Sequence, residues 1–261
     1  GPAAALGTGM RLGIEAAFAE ANAAGGVDGR QIDLKTYDDG YEPNRAMENT
    51  RKLIDDDQVF ALIGAVGTPT SKATQPLATE SGVPFVGPFT GAGFLRDGAL
   101  RNVVNVRATY AAETEAWVER LTKDLGAQRI ALLYQDDSFG RAGRSGVLAA
   151  LEKRGMSLAA EGAYNRNTTA VKTALLDIRK ADPDAVAIVG PYKPAATFIR
   201  LARRIGLDAQ FINISFVGSA ALAQELSTEG VGVAVSQVVP LPADASLPLA
   251  REYQAALQAF D

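Results

Sequence analysis

The chain has 261 residues, 47% hydrophobic and 21% charged, with a formal net charge of -4. That length suits two α/β lobes better than one small core, and a mildly acidic chain without a basic run makes a poor partner for nucleic acid or an anionic membrane. It contains no histidine and no cysteine, which excludes Ser-His-Asp, Cys-His and HExxH catalysis, disulfides and thiolate metal sites. Carboxylate or lysine catalysis remains possible.

No stretch reaches the roughly 18 apolar residues needed to cross a bilayer. No charged segment followed by an apolar run opens the chain. The abrupt start at Gly1-Pro2 and stop at Asp261 read as cut ends. A processed or partial protein is therefore expected, with its signal peptide removed or not represented.

Residues 6–23 are alanine-rich with apolar spacing of about 3.6 and predict a helix. Gly25 and Gly26 end it, since adjacent glycines supply the positive φ of a helix C-terminus and turn. Residues 32–37 predict a strand, 43–56 a helix with Pro43 in its first turn, and 61–64 a short buried strand. A helix over 69–81 and a strand over 84–86 follow. Helices are then predicted over 110–125, 139–154, 168–180 and 194–205. They alternate with strands over 129–134, 157–163, 185–189 and 210–213. A last helix is predicted over 247–259, after Pro240 and Pro242.

Such alternation implies parallel sheets joined by right-handed crossovers. The expected fold is α/β, with two doubly wound parallel-sheet lobes. Residues 1–107 and 240–261 are assigned to the first lobe and 108–239 to the second. Ligands of such sheets bind beyond the carboxyl ends of the strands, so the informative residues follow each strand.

After the strand at 61–64, Thr68 reads as a helix N-cap and Pro69 as the first helical position. With Thr70 and Ser71, the free N–H groups there suit a carboxylate; Thr68 reads equally well as a plain cap. After residue 86, Thr90 and Gly91 lie in a glycine-rich loop able to form an anion nest, or a simple surface loop. Asp136 and Asp137 follow the strand at 129–134 and suit a ligand ammonium or a helix N-terminus. Tyr192 and Phe216, each soon after a strand, suit a ligand or the core. Gly7, Gly9 and Gly13 imitate a dinucleotide loop without the preceding strand that loop requires, and Gly67 to Lys72 lacks P-loop spacing.

The opening at Gly1 to Gly7 and the run from Asn22 through Gly25, Gly26 and Gly29 resemble branched-chain amino-acid-binding proteins. So do Tyr37-Asp38-Asp39, the run from Asp136 to Gly140 and the run from Ala202 to Leu207. These are class I periplasmic solute-binding proteins of ABC importers. The likeness covers essentially the whole chain, in order. It implies a hinged trap of two lobes, here lacking the first strand and the C-terminal part. It also implies a role as an extracytoplasmic receptor that takes a small carboxylate, an amino acid or a related organic acid, and delivers it to an ABC permease. No enzyme activity, cofactor, metal, nucleic acid or membrane insertion is implied.

By the same resemblance, Gly67, Thr68 and Pro69 match the carboxylate-binding hydroxyl segment, and Thr70, two residues after Thr68, is taken with them as ligand-binding. Thr90 and Gly91 hold the ligand in the next loop. Phe139 and Tyr192 are second-lobe aromatics, and Tyr110 faces the cleft after the first crossover. The position that accepts the ligand ammonium is Ser215, which is not acidic. Either Asp137 or Asp136 replaces it, or the ligand carries no α-amino group. Two other functions are weighed: a sensor domain of a longer signalling receptor, and an enzyme on a doubly wound fold.

Overall fold

The computed structural model describes residues 1–260. The first helix, α1 (Ala4–Ala23), leads into a two-glycine turn closed by a Val27–Arg30 bridge. Helix α2 (Pro43–Arg51) ends in one wider turn of π-helix over Lys52–Asp56. Three short strands follow, β1 (Leu62–Ile63), β2 (Phe85–Val86) and β3 (Val103–Val104), with α3 (Thr68–Glu80) between the first two. They pair in parallel in the order β1-β2-β3.

The second sheet is larger. Its strands are β4 (Ile130–Gln135), β5 (Ala160–Tyr164), β6 (Ala185–Val189), β7 (Gln210–Asn213) and β8 (Ala234–Val235), all parallel, in the order β5-β4-β6-β7-β8. Its helices are α4 (Tyr110–Glu119), α5 (Ser138–Glu152), α6 (Lys172–Lys180), α7 (Tyr192–Arg204) and α8 (Ser219–Leu226). Ile130 to Leu133 and Ala185 to Val189 are completely or almost completely buried, as expected of central strands covered on both faces. The chain leaves this lobe after β8 and ends in α9 (Pro248–Phe260), which packs on α1.

Four differences from the sequence reading have physical reasons. Residues 32–37 have no strand partner among the described residues, so strand composition there does not become a sheet strand. The strands β3 and β8 have two residues each and α8 only eight, too short to show a period. The helix predicted over 168–180 begins only at Lys172, since Asn165 to Val171 form hydrogen-bonded turns. Helix α3 is capped by Gly67, at φ 98°, and begins at Thr68 itself. A side chain at residue 67 would strike the Tyr41 ring, 2.2 Å from the place of its Cβ.

The two sheets are not independent in their packing. One core cluster joins Ala3, Leu6, Tyr41 and Ala92 to Tyr110, Phe139, Ile214 and Phe216, so apolar contact runs from one lobe into the other.

Candidate functional site

The loops after β1 and β2 remain paired beyond the strands. Phe89 N donates to Ala65 O at 2.7 Å, and Gly67 N donates to Phe89 O at 3.2 Å. This register sets Thr68 beside Thr90, whose hydroxyls lie 2.7 Å apart, both buried. Tyr110 joins them from the start of α4. Its N–H donates to Gly91 O at 2.8 Å, and its hydroxyl accepts from Thr90 Oγ1 at 3.3 Å. A Cβ at Gly91 would lie 2.7 Å from the Tyr110 ring and 2.8 Å from its nitrogen, so only glycine allows this approach.

Five aromatic rings pack into one cluster that includes Tyr110, the ring whose hydroxyl bonds Thr90. Phe216 stacks within 4.7 Å of Phe139, 5.2 Å of Phe89 and 6.1 Å of Tyr41, and Phe139 lies 5.6 Å from Tyr110. Tyr41 and Phe89 come from first-lobe loops, and Tyr110, Phe139 and Phe216 from the first turns of α4 and α5 and the short 3-10 turn after β7; together they form an apolar wall that meets Thr90 through Tyr110. Burial raises the Tyr110 hydroxyl above its usual range, with Arg107 acting in the opposite sense.

A second polar cluster sits at the carboxyl end of β4. The chain passes from β4 to β5 on one side and to β6 on the other, which makes this end the topological switch point of the sheet. Asp137 caps α5 there, accepting from Phe139 N at 2.9 Å and Gly140 N at 3.2 Å; its other oxygen accepts from Gln135 Nε2 at 2.7 Å. Burial raises the Asp137 carboxyl above its ordinary value against these three donors. The hydroxyls of Tyr41 and Tyr164 and Oε1 of Gln135 are buried without hydrogen-bond partners among the described residues. Burial pushes both phenols well above their usual range, and neighbouring Asp137 adds to the shift.

A third cluster lies where the chain crosses between lobes. Arg107 Nη2 donates to Glu113 Oε2 at 3.2 Å and to Ser215 Oγ at 2.7 Å. Glu113 Oε1 accepts from Ser215 N at 2.6 Å and from the Ser236 hydroxyl. Arg107 sits on the connection from β3 to α4, and Ser236 follows β8. One buried carboxylate therefore ties both connections together.

A family model described as periplasmic binding protein matches residues 1–260. The chain belongs to the periplasmic binding protein family. This binding protein is 27% identical to the Leu/Ile/Val-binding protein homolog 7 of Brucella abortus, over 79% of its own chain and 53% of that relative. It thus spans about half the length of that curated relative. A crystal structure described as a possible leucine/isoleucine/valine-binding protein from Rhodopirellula baltica superposes with a TM-score of 0.94 at 41% identity, covering all of this chain and 72% of that one. A substrate-binding periplasmic protein from Ralstonia solanacearum does so with a TM-score of 0.92 at 30% identity, over 98% and 72% of the two chains. The fold is that of class I periplasmic binding proteins, and the resemblance read from the sequence holds.

Of the positions singled out in sequence, the structure brings Thr68, Thr90, Gly91, Tyr110 and Phe139 together in this binding protein. Ser215 adjoins them through Arg107, whose guanidinium carbon is 5.3 Å from the Tyr110 ring and 5.7 Å from the Phe89 ring. Thr70 turns its hydroxyl back onto Val66 O and Gly67 O. Asp137 is the cap of α5, and Asp136 pairs outward with Arg141 at 2.9 Å. Tyr192 packs in the second-lobe core, its hydroxyl accepting from Ala5 N at 3.4 Å. Sequence reading missed Tyr41, Arg107, Glu113, Gln135 and Tyr164. The residues before α4 carried one usable signal: Thr109 is a helix N-cap, accepting from Ala112 N at 3.1 Å.

Proposed function

We propose that the chain is the ligand-binding part of an extracytoplasmic receptor that captures a small carboxylate between its lobes and delivers it to an ABC permease. The buried pair of hydroxyls on Thr68 and Thr90, joined through Tyr110 to a wall of rings from both lobes, carries this reading. Thr68 opens α3, where free N–H groups and the positive helix end favour a carboxylate. The aromatic wall favours an apolar body on the ligand. Ligand and closure are coupled because a ligand that touches both lobes has differential affinity for the closed state. Thr68, Thr90, Gly91, Tyr110 and Phe139 contact the ligand in this reading. Thr70 and Asp137 support the loops that hold it, and Tyr192 steadies the start of α1 against the second lobe.

The test is native mass spectrometry of the purified protein, followed by denaturing release of whatever it carries. A small carboxylate, recovered unchanged after prolonged incubation, is the expected result. A nucleotide, or conversion of the released compound, contradicts the receptor reading.

A further inference from the structure

Given a carboxylate receptor, on which the following rests, the surroundings of Ser215 narrow the class of carboxylate. Arg107 is 3% exposed, and its Nη1 is buried without a hydrogen-bond partner among the described residues. Leaving a charged donor unpaired in the interior is costly, and most buried donors have partners. This nitrogen belongs to a guanidinium stacked near the Tyr110 and Phe89 rings. Those residues flank or bond Thr90, so the unpaired donor stands beside the proposed carboxylate end of the cleft.

The same spot is hostile to an ammonium. Arg96 donates to Thr90 O from both terminal nitrogens at 3.3 Å, and to Arg107 O at 3.2 Å. The Thr90 carbonyl therefore already accepts from two guanidinium nitrogens. Burial and the neighbouring Arg107 charge both lower the Arg96 pKa. Glu113 is 1% exposed, and its oxygens already serve Arg107, Ser215 and Ser236. The carboxylate of Asp137 is engaged with Phe139 N, Gly140 N and Gln135 Nε2. Arg107, paired with Glu113, and its neighbour Arg96 put two guanidinium groups beside Thr90. A further cation there would be repelled at low dielectric, whereas an acceptor oxygen would complete the guanidinium.

We infer that this protein selects acids bearing an acceptor oxygen in place of the α-ammonium, 2-oxo or 2-hydroxy acids, and that Arg107 Nη1 is the donor that reads this oxygen.

The test uses the chain stripped of ligand by unfolding and refolding. Matched pairs are titrated by calorimetry: L-leucine with 4-methyl-2-oxopentanoate, L-phenylalanine with phenylpyruvate, and L-alanine with pyruvate. The 2-oxo member of the best-binding pair should bind at least ~10-fold tighter, a difference of ~1.4 kcal/mol. Tighter binding of the amino member overturns the inference and leaves the receptor reading standing. If neither member of any pair binds while the purified protein carries a plain carboxylate, the inference again fails alone. If the purified protein carries no carboxylate, the receptor reading fails with it. Ser215→Glu should weaken the 2-oxo acid at least ~10-fold by placing a carboxylate against Arg107. That variant buries a new charge and can cost the fold, so the unchanged protein decides the question.

Discussion

Glu113 and Glu42 each bind an arginine where the two lobes meet, the first with 1% of its side chain exposed and the second with 43%. Glu113 is locked by Arg107, Ser215 and Ser236 at the base of the crossing segments. Glu42, in the loop before α2, reaches across to Arg166 Nη2 and Asn167 Nδ2 of the second lobe, each at 2.6 Å, and Gly40 O also accepts from Asn167. A buried pair cannot lose one member without stranding a charge. An exposed pair is screened by salt and contributes little. In the proposed receptor, a trap that opens and shuts would need both kinds of contact: a joint that keeps its geometry and a lip contact that breaks cheaply.

Breaking the joint should have the largest effect. Glu113→Gln leaves Arg107 buried against a neutral amide and should destabilise the protein by about 3–5 kcal/mol in urea unfolding. Asp137 lies between the extremes, since it caps α5 without an ionic partner within bonding distance. Asp137→Ala should cost about 1–2 kcal/mol in thermal melts. Burial raises this carboxyl above its ordinary 3.8, so the folded protein holds the proton more tightly than the unfolded chain. Its contribution is full below the unfolded value and is lost as pH rises through the folded one. Asp137→Asn keeps a capping oxygen without the titration. It should therefore gain stability relative to the parent as pH rises above the ordinary carboxylate value of 3.8; a difference that stays constant with pH would refute the shift. The smallest effect belongs to the lip. Glu42→Gln should change unfolding by less than about 1 kcal/mol. It should still raise the open fraction in small-angle scattering at low salt, and that difference should fade at high salt.

Much of the second lobe was legible because its central strands are unbroken apolar runs, Ile130 to Leu133 and Ala185 to Val189. Residues 32–37 carried a strand composition too, but a strand is made by its neighbour, and none lies beside them among the described residues. Half of the site was legible for one reason. Thr68, Thr90 and Phe139 follow strand ends, where parallel sheets place ligands. The Arg107–Glu113 joint was not, because its serine partners lie 102 and 123 residues away from Glu113 and no spacing announces them. Tyr41 was hidden differently. It follows Gly40 at a positive φ of 61°, a backbone turn that no periodicity encodes.

The most direct test replaces Thr68 and Thr90 together with valine and measures affinity for the carboxylate released from the unchanged protein. The hydroxyl pair is the polar end of the proposed cleft, and valine preserves its size while deleting both oxygens. Titration calorimetry should show at least ~10-fold weaker binding, about 1.4 kcal/mol, in a variant whose melting curve remains cooperative. Unchanged affinity in that folded variant would mean the ligand sits elsewhere, and the cleft between Thr68, Thr90 and the Phe139–Phe216 wall would not be the binding site.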